Sequence, residues 1–274
     1  MIVPVSILCT ERMVPLQKVV FHDGQSWTSS FDMRPSQLFS GVSQRLSIHL
    51  QAFGCSRDNI YFGGYRRWQE EERNELLRLT SYIGTSINQV ELGYLPKIAS
   101  SIEASITAKL DGQKIADFET SLHEHPIYVH RIIRYFVKAV DFIPYFWNEA
   151  EGQKKSEDYK PFFFEPEVKY AIVAVLNSSL FYWFWRVYSD GFHCGYRDIR
   201  EFKLGSFKQS EDLSTLSCLG KELMAGLQKS AIRKIIKSRT TGRVEYDELS
   251  PRMCLDLIWE IDRVLARHYG FSEE

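Results

Sequence analysis

The period of hydrophobic residues changes several times along the chain, and this feature limits its fold most strongly. Apolar and polar residues alternate over residues 45–53, which is the period of a half-buried strand. Apolar residues recur at helical spacing over 68–82, 213–237 and 251–269. A chain that mixes both periods in this way is predicted to fold as an α+β or α/β protein.

Composition excludes several classes of protein. The formal net charge of -1 excludes a globally basic nucleic-acid binder but permits a local basic face. The 5 cysteines are widely spaced, which favours free thiols in a reducing cytoplasm. No apolar run has the length of a membrane span, so no membrane partner is predicted. The aromatic fraction of 14% is enough to supply both a core and a surface that stacks on bases.

The sequence lacks the short motifs that mark common catalytic sites. It contains no G-x-G-x-x-G, no Walker loop, no G-x-S-x-G and no H-E-x-x-H. His123, Glu124, His125 and His130 resemble a metal cluster at first sight, but their spacing matches no zinc motif and no cysteine is near. We therefore predict surface histidines and no metal site.

The segment around Phe39 is the first specific signal. Pro35 breaks the chain after Arg34, and the apolar ring of Phe39 follows before the strand predicted over 45–53. Two interpretations are open. The ring is either a hydrophobic plug under the loop or a platform on which a base stacks.

Basic and aromatic residues are interleaved over residues 126–140, a segment predicted to form a strand, a turn and a strand. The residues concerned are Arg131, Arg134 and Lys138 among Tyr128, Tyr135 and Phe136. This mixture suits phosphate contact combined with stacking. The alternative is a half-exposed strand with a solvated basic face.

Residues 167–188 predict one long helix, or a strand and a helix, that is apolar nearly all round and therefore buried. Asn177 and Ser178 are polar residues inside this apolar stretch, and they require a cap or a polar partner. An exposed-looking segment follows, which contains Tyr196, Arg197, Arg200 and Lys203.

The densest positive charge lies in residues 229–243, which contain six lysines and arginines and no acidic residue. Arg233, Lys234 and Lys237 lie near its centre and are predicted to contact phosphates. The alternative is a solvated face of the helix predicted over 213–237.

Four stretches, taken in order, carry a resemblance to one family. They are Val-Pro-Val-Ser-Ile-Leu at 3–8, the Pro35 loop at 34–48, Leu-Asn-Ser-Ser at 176–179 with 186–190, and Thr-Gly-Arg-Val-Glu-Tyr at 241–246 with 261–271. In this order they resemble the C-terminal part of a gamma-class adenine-N6 DNA methyltransferase, as found in type IIG restriction–modification enzymes with a TaqI-like specificity domain.

The resemblance implies a bacterial or archaeal cytoplasmic protein with three parts. Residues 1–88 would be the trailing half of a Rossmann-like methyltransferase sheet. Residues 89–212 would be a mixed α+β target-recognition domain, and residues 213–274 a helical C-terminal segment.

The resemblance also implies sequence-specific recognition of double-stranded DNA. Phe39 would stack on the flipped adenine. The contacts to DNA would come from Arg131, Arg134, Lys138, Asn177, Ser178, Arg186, Tyr196, Arg197, Arg200, Lys203, Arg233, Lys234 and Lys237.

The chain departs from the family in one major way. It has neither the glycine-rich S-adenosylmethionine motif nor the Asn/Asp-Pro-Pro-Tyr/Phe motif, both of which lie upstream in the family. We therefore expect a fragment or split subunit that binds no cofactor and methylates nothing alone. An upstream methyltransferase half would supply catalysis with S-adenosylmethionine. Two other functions stay open: a non-catalytic DNA-specificity subunit, and an α/β protein-interaction module.

Overall fold

The computed structural model of the chain describes residues 1–22, 24–54, 59–121, 124–206 and 211–272. The backbone divides into two compact units. Unit 1 contains Met1–Ala108 and Phe184–Phe192, and unit 2 contains Lys109–Trp183 and His193–Glu274. Each unit contains helices and a sheet, so the mixed α+β class predicted from the two hydrophobic periods is confirmed.

A five-stranded sheet forms the centre of unit 1. In chain order its strands are β1 (Ile2–Pro4), β2 (Gly24–Phe31), β3 (Leu46–Phe53), β4 (Asn59–Arg66) and β5 (Tyr82–Ser86). They lie side by side in the order β1-β3-β2-β4-β5. Strand β2 is parallel to β4, and the other neighbouring pairs are antiparallel. The strand predicted over 45–53 is confirmed as β3.

The helices of unit 1 are short. They are α1 (Ser6–Cys9), α2 (Val14–Val20) and α3 (Ser101–Lys109), the last of which ends at the start of unit 2. The helix predicted over 68–82 is wrong, because the chain forms only a 3-10 helix over Glu70–Glu75 before β5 begins. Leu77 and Leu79 are 64% and 57% exposed, so this segment has no continuous apolar face to bury.

Several helices lie wholly or partly in unit 2. They are α4 (Pro166–Leu176), α5 (Ser179–Tyr188, which passes into unit 1 after Trp183), α6 (Tyr196–Arg200), α7 (Glu211–Lys229) and α8 (Leu255–His268). Helix α7 packs against both α4 and α8. A Cβ atom at Gly220 would lie 2.1 Å from the carbonyl oxygen of Tyr170, so only glycine permits this close approach of α7 to α4. No helix in the described ranges combines the length and the apolar character of a membrane span.

Seven strands form two further sheets in unit 2. They are β6 (Ile127–His130), β7 (Ala139–Val140), β8 (Phe146–Asn148), β9 (Gly152–Gln153), β10 (Tyr159–Phe162), β11 (Ile232–Ser238) and β12 (Gly242–Glu248). Their orders are β10-β6-β7 and β11-β12-β8-β9. The strand, turn and strand predicted over 126–140 are confirmed as the antiparallel pair β6 and β7.

The C-terminal basic run is a β-hairpin, and the prediction of a helix there is wrong beyond Lys229, where α7 ends. Strands β11 and β12 pair in unbroken register from Ile232↔Glu248 to Ser238↔Gly242. β-Branched residues favour the strand. Gly242 adopts a φ of 70° at the turn, a conformation that glycine takes without strain. The segment predicted to be helical over 213–274 therefore also contains a hairpin.

Candidate nucleic-acid interface

Phe39 lies on a loop whose two ends are joined by an ion pair between a partly buried arginine and a buried aspartate. Asp32 follows β2 and is 1% exposed, and Arg45 precedes β3. Arg45 Nε lies 3.3 Å from the Asp32 carboxylate, which also accepts hydrogen bonds from Arg67 Nε at 2.8 Å and from the Met33 amide at 2.7 Å. The ion pair therefore closes the loop at its base.

A second set of contacts holds the backbone of the same loop. The Arg73 guanidinium donates hydrogen bonds to the carbonyl oxygens of Leu38 at 3.1 Å and Gln37 at 2.8 Å. The Leu38 side chain packs against the buried residues Phe31, Trp68 and Leu76. The Gln37 side chain bonds to Gly41 and Ser43 across the loop. The position of residue 39 is thus fixed from both sides of the loop.

The Phe39 side chain is 43% exposed. This exposure favours the stacking interpretation over a hydrophobic plug, a role that its neighbour Leu38 fills. Phe53 is even more exposed, at 76%, but it lies at the end of β3 and not on a braced loop. A fixed backbone that carries an exposed ring is suited to stacking, because little conformational freedom is lost on binding.

Sequence reasoning missed two cationic residues with structural roles in unit 1. One is the partly buried Arg45. The other is Lys97, which is 1% exposed and donates hydrogen bonds to the carbonyl oxygens of Val187 at 2.6 Å and Ser189 at 2.7 Å. No local pattern marks Lys97, because its partners lie some ninety residues further along the chain.

Arg186, predicted to contact DNA, also has a structural role in unit 1. Its Nη2 donates to the Tyr65 carbonyl oxygen at 2.9 Å, and its guanidinium lies 5.7 Å from the centre of the Tyr65 ring. The hydrogen bond and the ring contact hold the Arg186 side chain within unit 1.

The loop between β6 and β7 presents two exposed residues between two buried ones. Ile133 and Val137 are 1% and 2% exposed and anchor the loop, whereas Arg134 is exposed and Tyr135 is 72% exposed. The Arg134 carbonyl oxygen accepts a hydrogen bond from the Tyr182 hydroxyl at 3.3 Å. This loop therefore presents the combination of cation and ring that the sequence predicted.

The other two cations of this segment are less available to a ligand. Arg131 Nε is paired with the Asp158 carboxylate at 2.8 Å. Burial lowers the pKa of the Lys138 amino group, and nearby Glu248 opposes that shift only in part. Arg131 and Lys138 are therefore less available to DNA than the sequence predicted.

Asn177 and Ser178 have structural roles in place of the DNA contacts predicted for them. Asn177 is 4% exposed, and its amide group accepts from the Ala139 amide and donates to the carbonyl oxygens of Ala139 and Val173. Ser178 is 2% exposed, and its hydroxyl accepts from the Phe181 amide at 3.0 Å, which caps α5. The need for a cap and a polar partner, which the sequence indicated, is confirmed.

Helix α6 and the residues after it carry the next group of predicted contacts. Tyr196 is 43% exposed, and the Arg200 guanidinium lies 5.2 Å from its ring centre. Arg200 is also held by the Glu119 carboxylate through two hydrogen bonds of 2.6 and 2.7 Å. Arg197 is half-buried, and Lys203 is exposed. Tyr196 and Lys203 therefore remain open to a ligand.

Acidic residues of β12 neutralise part of the basic run over residues 229–243. Arg233 Nε lies 2.6 Å from Asp247, Lys234 Nζ 3.5 Å from Glu248, and Arg243 2.6 Å from Glu245. The residue opposite Lys237 is Arg243, which is another cation. Within the described ranges, Lys237 and Arg239 have no carboxylate partner. The excess positive charge therefore concentrates at the tip of the hairpin.

The adjacent glycines Gly63 and Gly64 lie inside β4. They are not in a loop between a strand and a helix, which is where a glycine-rich cofactor-binding motif would place them. A Cβ atom at Gly64 would lie 3.1 Å from Ala99, so this pair serves close packing.

Metal ligands and thiols add no further site. In the ranges that the structure covers, no group of three or more His, Cys, Asp or Glu side chains could hold a metal ion, and His123 lies outside them. Four cysteines are free thiols, as predicted, and Cys55 lies outside the described residues; the four are Cys9, Cys194, Cys218 and Cys254.

Comparison of the chain with models of known protein families and with curated proteins gives no match.

Proposed function

We propose that this chain recognises DNA within an adenine-N6 DNA methyltransferase whose catalytic motifs and S-adenosylmethionine site come from another segment or polypeptide. The observation that carries the proposal is the braced, exposed ring of Phe39. An enzyme that methylates the amino group of adenine must first move the base out of the duplex. An aromatic ring held at a fixed position stabilises such a base by stacking on it.

The exposed cations of unit 2 support the same function. Arg134 with Tyr135, Lys203, and the hairpin-tip residues Lys237 and Arg239 are exposed. With a formal net charge of -1, attraction to DNA has to come from such local groups. Contacts of this kind position a duplex, and they carry no sequence information themselves.

Stacking is tested with the full chain and a mixed-sequence duplex that carries one unpaired 2-aminopurine. Binding is followed by anisotropy, and stacking by quenching of the 2-aminopurine fluorescence. Phe39→Ala is expected to weaken binding by about five- to 150-fold and to remove the quenching, since stacking contributes about 1–3 kcal/mol per base. Phe53→Ala is the matched control, because Phe53 is an exposed phenylalanine of the same unit.

The control variant is expected to bind and quench like the wild type. Equal quenching by Phe39→Ala and the wild type would show that Phe39 is not a stacking platform. A wild-type chain that does not bind the duplex at low ionic strength would refute the proposed function itself.

A further inference from the structure

Strand β11 is exposed on both of its faces. Ile232, Ile235 and Ile236 are 53%, 59% and 50% exposed. Because successive side chains of a strand point to opposite faces, Ile235 lies on one face and Ile232 and Ile236 on the other. Phosphate groups gain nothing from contact with isoleucine, so the apolar part of this surface is not explained by DNA.

The outer edge of β11 has no neighbouring strand in the part of the chain that the structure describes. Proteins usually protect such an edge with a proline, a bulge, a very short strand or charged side chains, especially lysine. Of these devices β11 has only its cations, which repel a basic strand and attract an acidic one. Strand β11 contains no proline, and its pairing with β12 is unbroken over seven residues. Its outer backbone groups can therefore pair with another strand along the whole length of β11.

The charges of β11 oppose pairing with a second copy of itself. The strand contains Arg233, Lys234 and Lys237 and no acidic residue. Two copies side by side would bring the cations of both strands together. Asp247 and Glu248 pair only with Arg233 and Lys234 of each copy, so the excess charge at Lys237 makes this arrangement unfavourable. An acidic strand would instead place a carboxylate opposite each cation. This matters most at Lys237, whose neighbour on β12 is Arg243.

We infer that β11 binds an extended acidic segment of a partner protein, which adds a fifth strand to the sheet. From Ile232 to Lys237 the side chains run apolar, basic, basic, apolar, apolar, basic. An antiparallel partner that complements each position runs acidic, apolar, apolar, acidic, acidic, apolar in its own direction. Backbone pairing supplies the affinity, and the side chains supply the selectivity. The inference does not rest on the proposed DNA recognition, because it uses neither Phe39 nor unit 1.

The probe is a fluorescein-labelled peptide with the core glutamate-valine-valine-glutamate-glutamate-valine, flanked by neutral polar residues. The full chain is expected to bind it saturably. A peptide with lysine in place of each glutamate, and a glutamate peptide with N-methylated backbone amides, are each expected to bind at least about tenfold more weakly.

Two double variants locate the site. Ile235→Thr with Ile236→Thr keeps β-branched side chains but removes apolar area, and it is expected to weaken peptide binding by about tenfold. Ile143→Thr is the matched control at an isoleucine that is 52% exposed elsewhere in unit 2. Lys237→Glu with Arg239→Glu is expected to reverse the preference, so that the lysine peptide binds better than the glutamate peptide.

Several results would overturn the inference. Equal binding of the N-methylated peptide would exclude strand pairing, and no binding of the glutamate peptide by the folded chain would exclude the site. Displacement of the peptide by a mixed-sequence duplex, combined with no effect of the threonine variant, would assign the hairpin to phosphate binding. A dimer that dissociates in the threonine variant would assign the edge to a second copy. One further result would support the inference and separate it from the DNA proposal. In it, the double threonine variant loses peptide binding, while its Phe39-dependent quenching of 2-aminopurine is unchanged.

Discussion

His49 makes the stability of unit 1 sensitive to mild acid. The residue lies on β3 with 5% exposure, and its ring centre is 5.7 Å from that of Phe21. Among the described residues, neither ring nitrogen of His49 has a hydrogen-bond partner. A charged imidazole would therefore be buried without compensation.

The size of the effect follows from the pKa shift. Burial, with a contribution from the charged amino group of Met1, lowers the pKa of His49 from 6.5 to about 4. The unfolded chain keeps a pKa of about 6.5, so it binds more protons than the folded chain below that pH. The contribution of neutral His49 to the free energy of unfolding is complete above about pH 7.5 and is lost as the pH falls. The loss reaches about 2 kcal/mol at about pH 5 and about 3 kcal/mol below about pH 4.

The test compares the free energies of unfolding of the wild type and His49→Leu at about pH 7.5 and about pH 5. The variant cannot titrate at this position, so it should lose about 2 kcal/mol less than the wild type. Burial also lowers the pKa of His130 in unit 2 to about 4. His130 titrates over the same pH range in both proteins. The effect of His49 is therefore read from the difference between the wild type and His49→Leu in the loss of unfolding free energy, and not from the wild type alone.

Histidine-selective NMR gives the second measurement. The imidazole of His49 should stay neutral until the pH approaches its folded midpoint of about 4. A midpoint near about 6.5, or the same loss of stability in both proteins, would refute the argument that burial sets the charge of this residue.

Three further results are expected. Asp32→Ala should destabilise unit 1 by about 1.5–3 kcal/mol in denaturant unfolding, because it removes the buried carboxylate that pairs with Arg45 and Arg67; a change below about 1 kcal/mol would show that the pair does not hold the loop. Asn177→Ala should cost about 2–4 kcal/mol, because it leaves backbone groups of Ala139 unpaired, and wild-type stability would contradict this. The purified chain should transfer no labelled methyl groups from S-adenosylmethionine to duplex DNA, and any enzyme-dependent transfer would contradict the assignment of catalysis to another segment.

The sequence predicted β3 and α8 because one hydrophobic period dominated each segment. It failed at β11, where Ile232, Ile235 and Ile236 have the i, i+3, i+4 spacing of a helix as well as the β-branching of a strand. Pairing with β12 decides between the two, and the period of a single segment does not contain that information.

The sequence predicted the candidate site only in part, because local sequence identifies segments but not their distant partners. The exposed ring of Phe39 was one of two interpretations of a short segment, and local sequence was enough to identify the segment. The partners of the predicted cations were not foreseen, because they lie far away in the chain. Glu119 precedes Arg200 by 81 residues, and Asp158 follows Arg131 by 27. Because of these long-range ion pairs, fewer of the predicted cations are available to contact DNA than the sequence indicated.

The ion pair at the base of the Phe39 loop makes this loop tolerant of changes in length. Because Asp32 and Arg45 hold its two ends, an insertion after Phe39 affects the hydrogen bonds of Gln37 with Gly41 and Ser43 and the entropy of a segment that is already closed. That entropy changes slowly, by about 0.6 kcal/mol for each doubling of length. Gly41 itself has to stay a glycine, because its φ of 76° is strained for other residues, although the space around it is open. The sheet can therefore keep its register while the loop is exchanged for one of another length and composition.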